Sequence, residues 1–325
     1  MSALDAMIAA QPEAIERVAS LDVEERAAAL RPATRVVLVG TGTSQHAAEL
    51  GAVMFAQAGR VALAVPSSAF AHGAVPVGPG DGVIVISHTT DTAFARRARD
   101  LAVESGAALA SVTGVVGRWP EAVETVAKEQ AETYTVSYTA ALAALAVLAG
   151  ALGATEYHAD AVRGLLPAVE AALASELPDA LEPPPRALAV VGAGLWGVTA
   201  REGALKVREG ARLLAEGFDA EYFLHGSAVP LTADDRVLLL EPAADPDGLV
   251  AALGRAAAAE GIPVASWSLP AASAAPPALA QIPTTILLQR LAARWAAKRS
   301  QDPDVAIVGA WADPSLWELG GPGAG

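Results

Sequence analysis

Gly82-Val-Ile-Val-Ile86-Ser87-His-Thr-Thr-Asp-Thr92 is the stretch that decides how the chain folds. Its first five residues are apolar and rich in β-branched side chains, as in a short strand buried on both faces. The next six are mostly hydroxylic or acidic, and Ala93–Ser105 behind them has helical composition. Strand, polar turn and helix open a βαβ unit, whose parallel strand delivers the turn to the C-terminal edge of a sheet, where ligands bind. The helix N-terminus there offers unpaired N–H groups and partial positive charge. Ser87, Thr89, Thr90 and Thr92 add neutral donors, so the turn is a candidate phosphate site. Helix capping alone would also favour Ser, Thr or Asp. A cap needs one such residue, however, and five of these six positions carry one.

Working outward, the same pattern recurs. Arg35–Val39 (RVVLV) reads as a strand, followed by Gly40-Thr-Gly42 and a helix over Ser44–Ala58. The turn Gly42-Thr43-Ser44 either caps that helix or brings Thr43 and Ser44 to the same edge. Val61–Val65 and Ala107–Thr113 read as further strands, and Val136–Leu152 as a long Ala/Leu helix. A second series follows: strand Ala187–Val191, helix Thr199–Glu216, strand Arg236–Leu240, helix Leu249–Glu260, strand Ile262–Trp267 and helix Ile286–Lys298. Two such series predict two α/β domains with parallel sheets, residues 1–165 with leading helices and residues 166–325. Pro183-Pro184-Pro185 marks a stiff boundary, Pro270–Pro277 a loop, and Gly320–Gly325 a frayed end.

Composition narrows the function. With 53% hydrophobic and 18% charged residues, the chain is not of the disordered class. A net charge of −14 argues against nucleic acid or an anionic membrane as the main partner. No apolar run reaches the ~20 residues of a membrane helix. Met1–Ala10 carries Asp5 and no basic segment, unlike a signal peptide, so a soluble, cytoplasmic protein is expected. Zero cysteines exclude a disulfide, a thiolate nucleophile or a Cys-held metal. No His/Asp/Glu spacing suggests another metal site, and no cofactor is expected.

Three further motifs stand out. Gly192-Ala-Gly194-Leu-Trp-Gly197 has the G-x-G-x-x-G form of a dinucleotide turn. That fingerprint also needs an acid about 20 residues on, at the end of the next strand. Arg236–Leu240, the next strand read here, is too distant, which favours a simple tight turn. Glu202, Lys206 and Glu209 fall on one helix face. They form either a solvated salt-bridge stripe or a cleft where a carboxylate acts as general base beside an ammonium. His225, next to Gly226, sits in a turn; it, His72 and His88 read as structural when each is taken alone.

In this order, the pieces resemble one family. The chain looks like the tandem sugar-isomerase (SIS) domains of the isomerase half of glutamine–fructose-6-phosphate aminotransferase, and like related phosphosugar isomerases and deglycases. The resemblance runs from Gln11-Pro-Glu-Ala-Ile15 to about Asp304. Ser87–Thr92 is similar to the family's S-Q-S-G-E-T phosphate loop, and Gly42-Thr43-Ser44 to its first G-T-S turn. Glu132 and Ser137 match an E-x-x-x-x-S segment, and Glu202-Gly-Ala-Leu-Lys206-Val-Arg-Glu209 matches E-G-A-L-K-L-K-E. Glu216 and His225-Gly226 match a downstream A-E and H-G-P pair.

The resemblance implies two SIS domains, each a flavodoxin-like parallel sheet sandwiched by helices. It implies that Thr43, Ser44, Ser87, His88, Thr89, Thr92 and Ser137 hold a phosphorylated sugar or amino sugar. Glu209 would move the proton between C1 and C2, His225 would open the ring across a homodimer interface with shared active sites, and Lys206 and Glu202 would support them. The chain departs from the family in having no cysteine for glutamine hydrolysis, which leaves room for a separate ammonia-supplying subunit. It also has Ala306–Trp311 where the family carries an arm lysine, His88 for Gln and Thr90 for Gly. The leading expectation is an aldose–ketose isomerase or an amino-sugar-phosphate deaminase or deglycase. The alternative is a catalytically silent sugar-phosphate-binding regulatory module. A nicotinamide-dependent oxidoreductase is the third reading, resting on Gly192, Gly194 and Gly197 alone.

Overall fold

The computed structural model describes residues 2–178, 181–241, 247–267 and 275–322. Most of the expected Pro270–Pro277 loop and the last residues of the expected frayed end lie outside these. The chain divides into two compact units. One comprises Ala10–Glu129, Val136–Leu166 and Ile307–Gly325; the other comprises Met1–Ala9, Gln130–Thr135 and Pro167–Ala306. The Pro183–Pro185 run falls within the latter. Among the described residues no helix is long and apolar enough to cross a membrane.

The first unit is built on a parallel sheet of β1 (Arg35–Gly40), β2 (Val61–Pro66), β3 (Asp81–Ile86), β4 (Ala108–Thr113) and β5 (Ala122–Glu124), in the order β2-β1-β3-β4-β5. This 2-1-3-4-5 order is that of flavodoxin-type sheets, with a switch point between β1 and β3. Strand alternation splits the core into two layers. Val37, Val39, Val83 and Val85 pack on Phe70, Ala95, Ala98 and Ala102. On β1, Leu38 turns to the other face, where a Cβ at Gly51 would come within 2.7 Å of it and 3.0 Å of Leu145. That closeness explains the glycine in the helix Thr43–Gln57. The helix Val136–Ala151 is buried from Val136 through Ala149. A helix apolar all round belongs in an interior.

The second unit repeats the plan with β6 (Ala187–Gly192), β7 (Leu214–Asp219), β8 (Arg236–Leu240) and β9 (Val264–Trp267), all parallel, in the order β7-β6-β8-β9. Leu188, Val190, Leu238 and Leu240 face the helices Trp196–Ala211 and Gln281–Lys298. Ala189, Val191, Val237 and Leu239 face Val250, Leu253 and Ala257 of the helix Leu249–Ala259.

Two elements correct the sequence reading. The helix expected over Thr199–Glu216 ends at Ala211, because Arg212 adopts a left-handed conformation (φ 48°, ψ 44°). The residues beyond it form β7, registered on β6 from Ala187↔Leu214 to Gly192↔Asp219. Tertiary pairing thus overrode local helix propensity. β5 was not anticipated, because three residues give too short a pattern to read.

Both sheets carry the same ionic device at their N-terminal edge. Arg35, opening β1, donates through Nε and Nη2 to both oxygens of Asp81, opening β3, at 2.8 and 2.7 Å, and also to Pro76 O. Asp81 accepts in addition from Gly78 N. Arg186, just before β6, likewise grips both oxygens of Asp235, just before β8, and Pro230 O. Asp235 accepts from Thr232 N. The guanidinium hydrogen bond holds the Asp81 carboxyl below its ordinary range. At Asp235 burial works upward, but the bonds from Arg186 and Thr232 prevail and the carboxyl again lies low.

Candidate functional site

In the first unit, Gly40 lets the chain turn straight from β1 into its helix: a Cβ there would lie 2.3 Å from Ser44 O. Thr43 and Ser44 therefore stand in the first turn of the helix Thr43–Gln57, at the C-terminal edge of the sheet. β3 brings His88 to the same edge, and the start of the helix Val136–Ala151 brings Ser137. All four side chains line one small pocket. Thr113, Thr125 and Tyr138, which the sequence reading did not single out, line it too. Thr113 ends β4 and was discoverable from the strand-end rule. Thr125 follows the unanticipated β5.

Ser87, Thr89 and Thr92 share the β3 turn but are not among the pocket's lining. Their hydroxyls are nonetheless not occupied as helix caps. Thr92 is the N-cap residue of the helix Ala93–Glu104 yet makes no side-chain capping bond. Thr89 Oγ1 accepts from Asp91 N at 3.3 Å, within the turn itself. Ser87 Oγ is buried with no hydrogen-bond partner among the described residues. A buried hydroxyl left unbonded is uncommon and calls for a reason, a ligand among them. Thr90 has φ 65°, a left-handed conformation costly for a β-branched residue. It is also the position where the resembling family has glycine.

His88 is mostly buried, and its Nε2 accepts the Glu129 N–H at 3.2 Å. Burial, aided by the nearby charge of Lys128, pushes its pKa down to about 4. Glu129 Oε1 in turn accepts from Ser137 N at 2.7 Å. The acid bonded to Ser137 is therefore Glu129, which the sequence reading missed. Glu132, which the sequence spacing pairs with Ser137, belongs to the second unit and accepts there from Ala306 N.

In the second unit, Glu202 and Lys206 are fully buried, which removes the solvated-stripe reading. Lys206 Nζ lies 2.7 Å from Glu209 Oε2 and 3.5 Å from Glu202 Oε1. Burial pushes the Glu209 carboxyl up, against the opposing pull of Lys206. A desolvated carboxylate of raised pKa, beside an ammonium and still a fifth exposed, has the properties of a general base. His225 is exposed in an irregular turn, Phe223–Ser227, where Gly226 takes φ 102°. Trp311, in the segment that lacks the family's arm lysine, is 75% exposed.

The G-x-G-x-x-G turn has its acid after all, since β7 ends at Asp219. That carboxylate accepts from Gly194 N at 2.9 Å and from Glu221 N at 2.9 Å, the latter as a helix cap. Gly197 is required by packing, because a Cβ there would lie 2.9 Å from Asp219 Cα. The turn is thus engaged internally: a carboxylate already holds the amide that a pyrophosphate would approach. Among the described residues no group of three or more His, Asp or Glu could hold a metal ion.

Comparison with known proteins adds the following. The SIS domain family model matches residues 29–151. No curated protein sequence matches the chain. Among solved structures, the C-terminal domain of glucosamine-fructose-6-phosphate aminotransferase from Francisella tularensis is 18% identical, with a TM-score of 0.76 over 94% of this chain and 98% of that one. Tagatose-6-phosphate ketose/aldose isomerase from Escherichia coli is 18% identical, with a TM-score of 0.77 over 95% and 96%. Glucosamine-6-phosphate deaminase from Thermotoga maritima is 17% identical, with a TM-score of 0.68 over 93% and 97%. At these identities the likeness is one of fold.

Proposed function

We propose that the protein is a phosphosugar enzyme: an aldose–ketose isomerase, or a deaminase or deglycase of an amino-sugar phosphate. The observation that carries this reading is the convergence of Thr43, Ser44, His88 and Ser137, from three separate segments, on one pocket at the C-terminal edge of the β1–β5 sheet. The neighbouring Ser87–Thr92 turn adds hydroxyls, one of them buried and unbonded. The hydroxyls of Thr43, Ser44, Ser137 and the turn bind phosphate as neutral donors, as an acidic protein requires. Proton transfer between C1 and C2 falls to Glu209, with Lys206 and Glu202 setting its charge and His225 assisting ring opening. Such transfer needs a carboxylate of raised pKa, and burial gives Glu209 one.

The proposal extends to a second SIS domain in the second half of the chain. Its support is internal: the sheets share a strand order, and the Arg35–Asp81 and Arg186–Asp235 clamps each bond a proline carbonyl five residues before the aspartate. A homodimer, with ammonia drawn from a separate subunit where the reaction needs it, completes the reading. A catalytically silent sugar-phosphate-binding module is the second reading, favoured by Ala306–Trp311 standing where the resembling family carries a lysine.

Fructose 6-phosphate or glucosamine 6-phosphate should raise the melting temperature through binding linkage. Changing Ser87 and Thr89 together to Ala should abolish the rise. Glu209→Gln should stop solvent deuterium exchange at C2 while binding persists. Binding without any exchange in the wild type would hand the case to the silent module.

A further inference from the structure

The turn after β3 and the first turn of the helix Val136–Ala151 are far apart in sequence, and one chain of contacts ties them. His88 O accepts from Gly114 N at 2.8 Å, continuing the β3–β4 ladder. The imidazole lies against Gly114, where a Cβ would come within 2.6 Å of Cε1 and 2.7 Å of Nδ1. Glycine at 114 therefore makes room for the ring. Across the ring, Nε2 meets the Glu129 N–H. An amide can only donate, so Nε2 carries no proton and the neutral ring holds its proton on Nδ1. Glu129, 5% exposed, then accepts from Ser137 N. That amide is one of those a helix leaves without an internal partner, and a carboxylate is favoured there by the helix dipole.

We propose that His88 is a positioning residue. Its unprotonated Nε2 fixes Glu129, and through it Ser137 and the first turn of the helix, against the β3 turn, so that the phosphosugar pocket is shaped before its ligand arrives. The ligand rests on the function proposed above; the clamp itself does not. Preorganisation of this kind strengthens binding by lowering the ordering cost. A protonated ring would set N–H against N–H and open the link. The depressed pKa keeps the accepting form in place at neutral pH.

The test uses the full chain and four proteins: wild type, His88→Phe, His88→Gln and Glu129→Gln. Phenyl keeps the packing against Gly114 and removes the acceptor; the Gln amide restores one. Long-range 1H–15N spectra at pH 7 should show His88 as the Nδ1–H tautomer. Amide exchange at Glu129 and Ser137 should quicken at least tenfold in His88→Phe and return toward wild type in His88→Gln. Exchange at Ser137 alone should quicken in Glu129→Gln. The dissociation constant for fructose 6-phosphate should rise at least tenfold in His88→Phe, with most of the loss regained in His88→Gln. An Nε2–H tautomer, or unchanged amide exchange in His88→Phe, overturns the clamp. Faster exchange together with no binding of any sugar phosphate by the wild type leaves the clamp standing and sinks the functional reading instead.

Discussion

Lys206→Met is the sharpest perturbation of the second unit. Methionine keeps the length and apolar stem of the side chain while deleting the ammonium. In the wild type that ammonium sits 2.7 Å from Glu209 and 3.5 Å from Glu202, and both Lys206 and Glu202 are fully buried. Its removal leaves two carboxylates near each other without the ammonium they share and with little water. Breaking a buried pair from one side costs about 3–5 kcal/mol, a fall in Tm of roughly 10 °C for a chain of this size. The deficit should depend on pH in a definite direction. Loss of Lys206 raises the folded-state pKa of Glu209 further, and a carboxylate raised on folding stabilises below its unfolded value and loses that contribution as pH rises. The variant should therefore approach the wild type near pH 4.5 and fall away toward pH 8. Adding Glu202→Leu should recover much of the loss, since an apolar replacement of a buried charge needs no partner. Thermal unfolding by circular dichroism across this pH range decides the matter. A Lys206→Met protein within about 0.5 kcal/mol of wild type at pH 7, the range of ordinary surface changes, would refute the reasoning.

Other perturbations test other parts. Thr90→Gly should stabilise by about 1 kcal/mol, the relief of left-handed strain less the added freedom of the unfolded chain; equilibrium urea unfolding reads it. Asp219→Ala removes a helix cap and the partner of Gly194 N, and should cost about 2 kcal/mol by the same measurement. Arg186→Ala should lessen the acid sensitivity contributed by Asp235, leaving the part that the Thr232 bonds support. That carboxyl is lowered on folding, so its contribution is present above the ordinary Asp value and lost as pH falls below it. Acid titration of stability in wild type and variant compares the two.

The strands and their order of appearance were legible because buried parallel strands such as Val36–Val39 and Val83–Ile86 are apolar without interruption, which needs no tertiary knowledge to see. β7 was not legible for the opposite reason. Leu214-Ala-Glu-Gly-Phe-Asp219 is half exposed and continues a helix-rich stretch, and only the left-handed Arg212 and pairing with β6 settle its state. Losing β7 also hid Asp219, and with it the reason the glycine turn is engaged internally. At the site, hydroxyls at strand ends could be read from spacing. Glu129 could not, because its role depends on a chain of contacts from His88 to Ser137 that no local pattern encodes.

The paired arginine–aspartate clamps have a consequence for how the two halves can differ. Each sheet is fastened at the edge where its strands begin, by a guanidinium that holds the first and third strands and the carbonyl of the preceding loop. The opposite edge, where the strands end, is held by contacts of its own in each half, the His88–Glu129–Ser137 link in one and Asp219 in the other. One half has placed a hydroxyl turn there, while the other fills its glycine turn with Asp219. A fold stapled at one rim by a shared device can keep a common frame while the contacts and the chemistry at the other rim diverge.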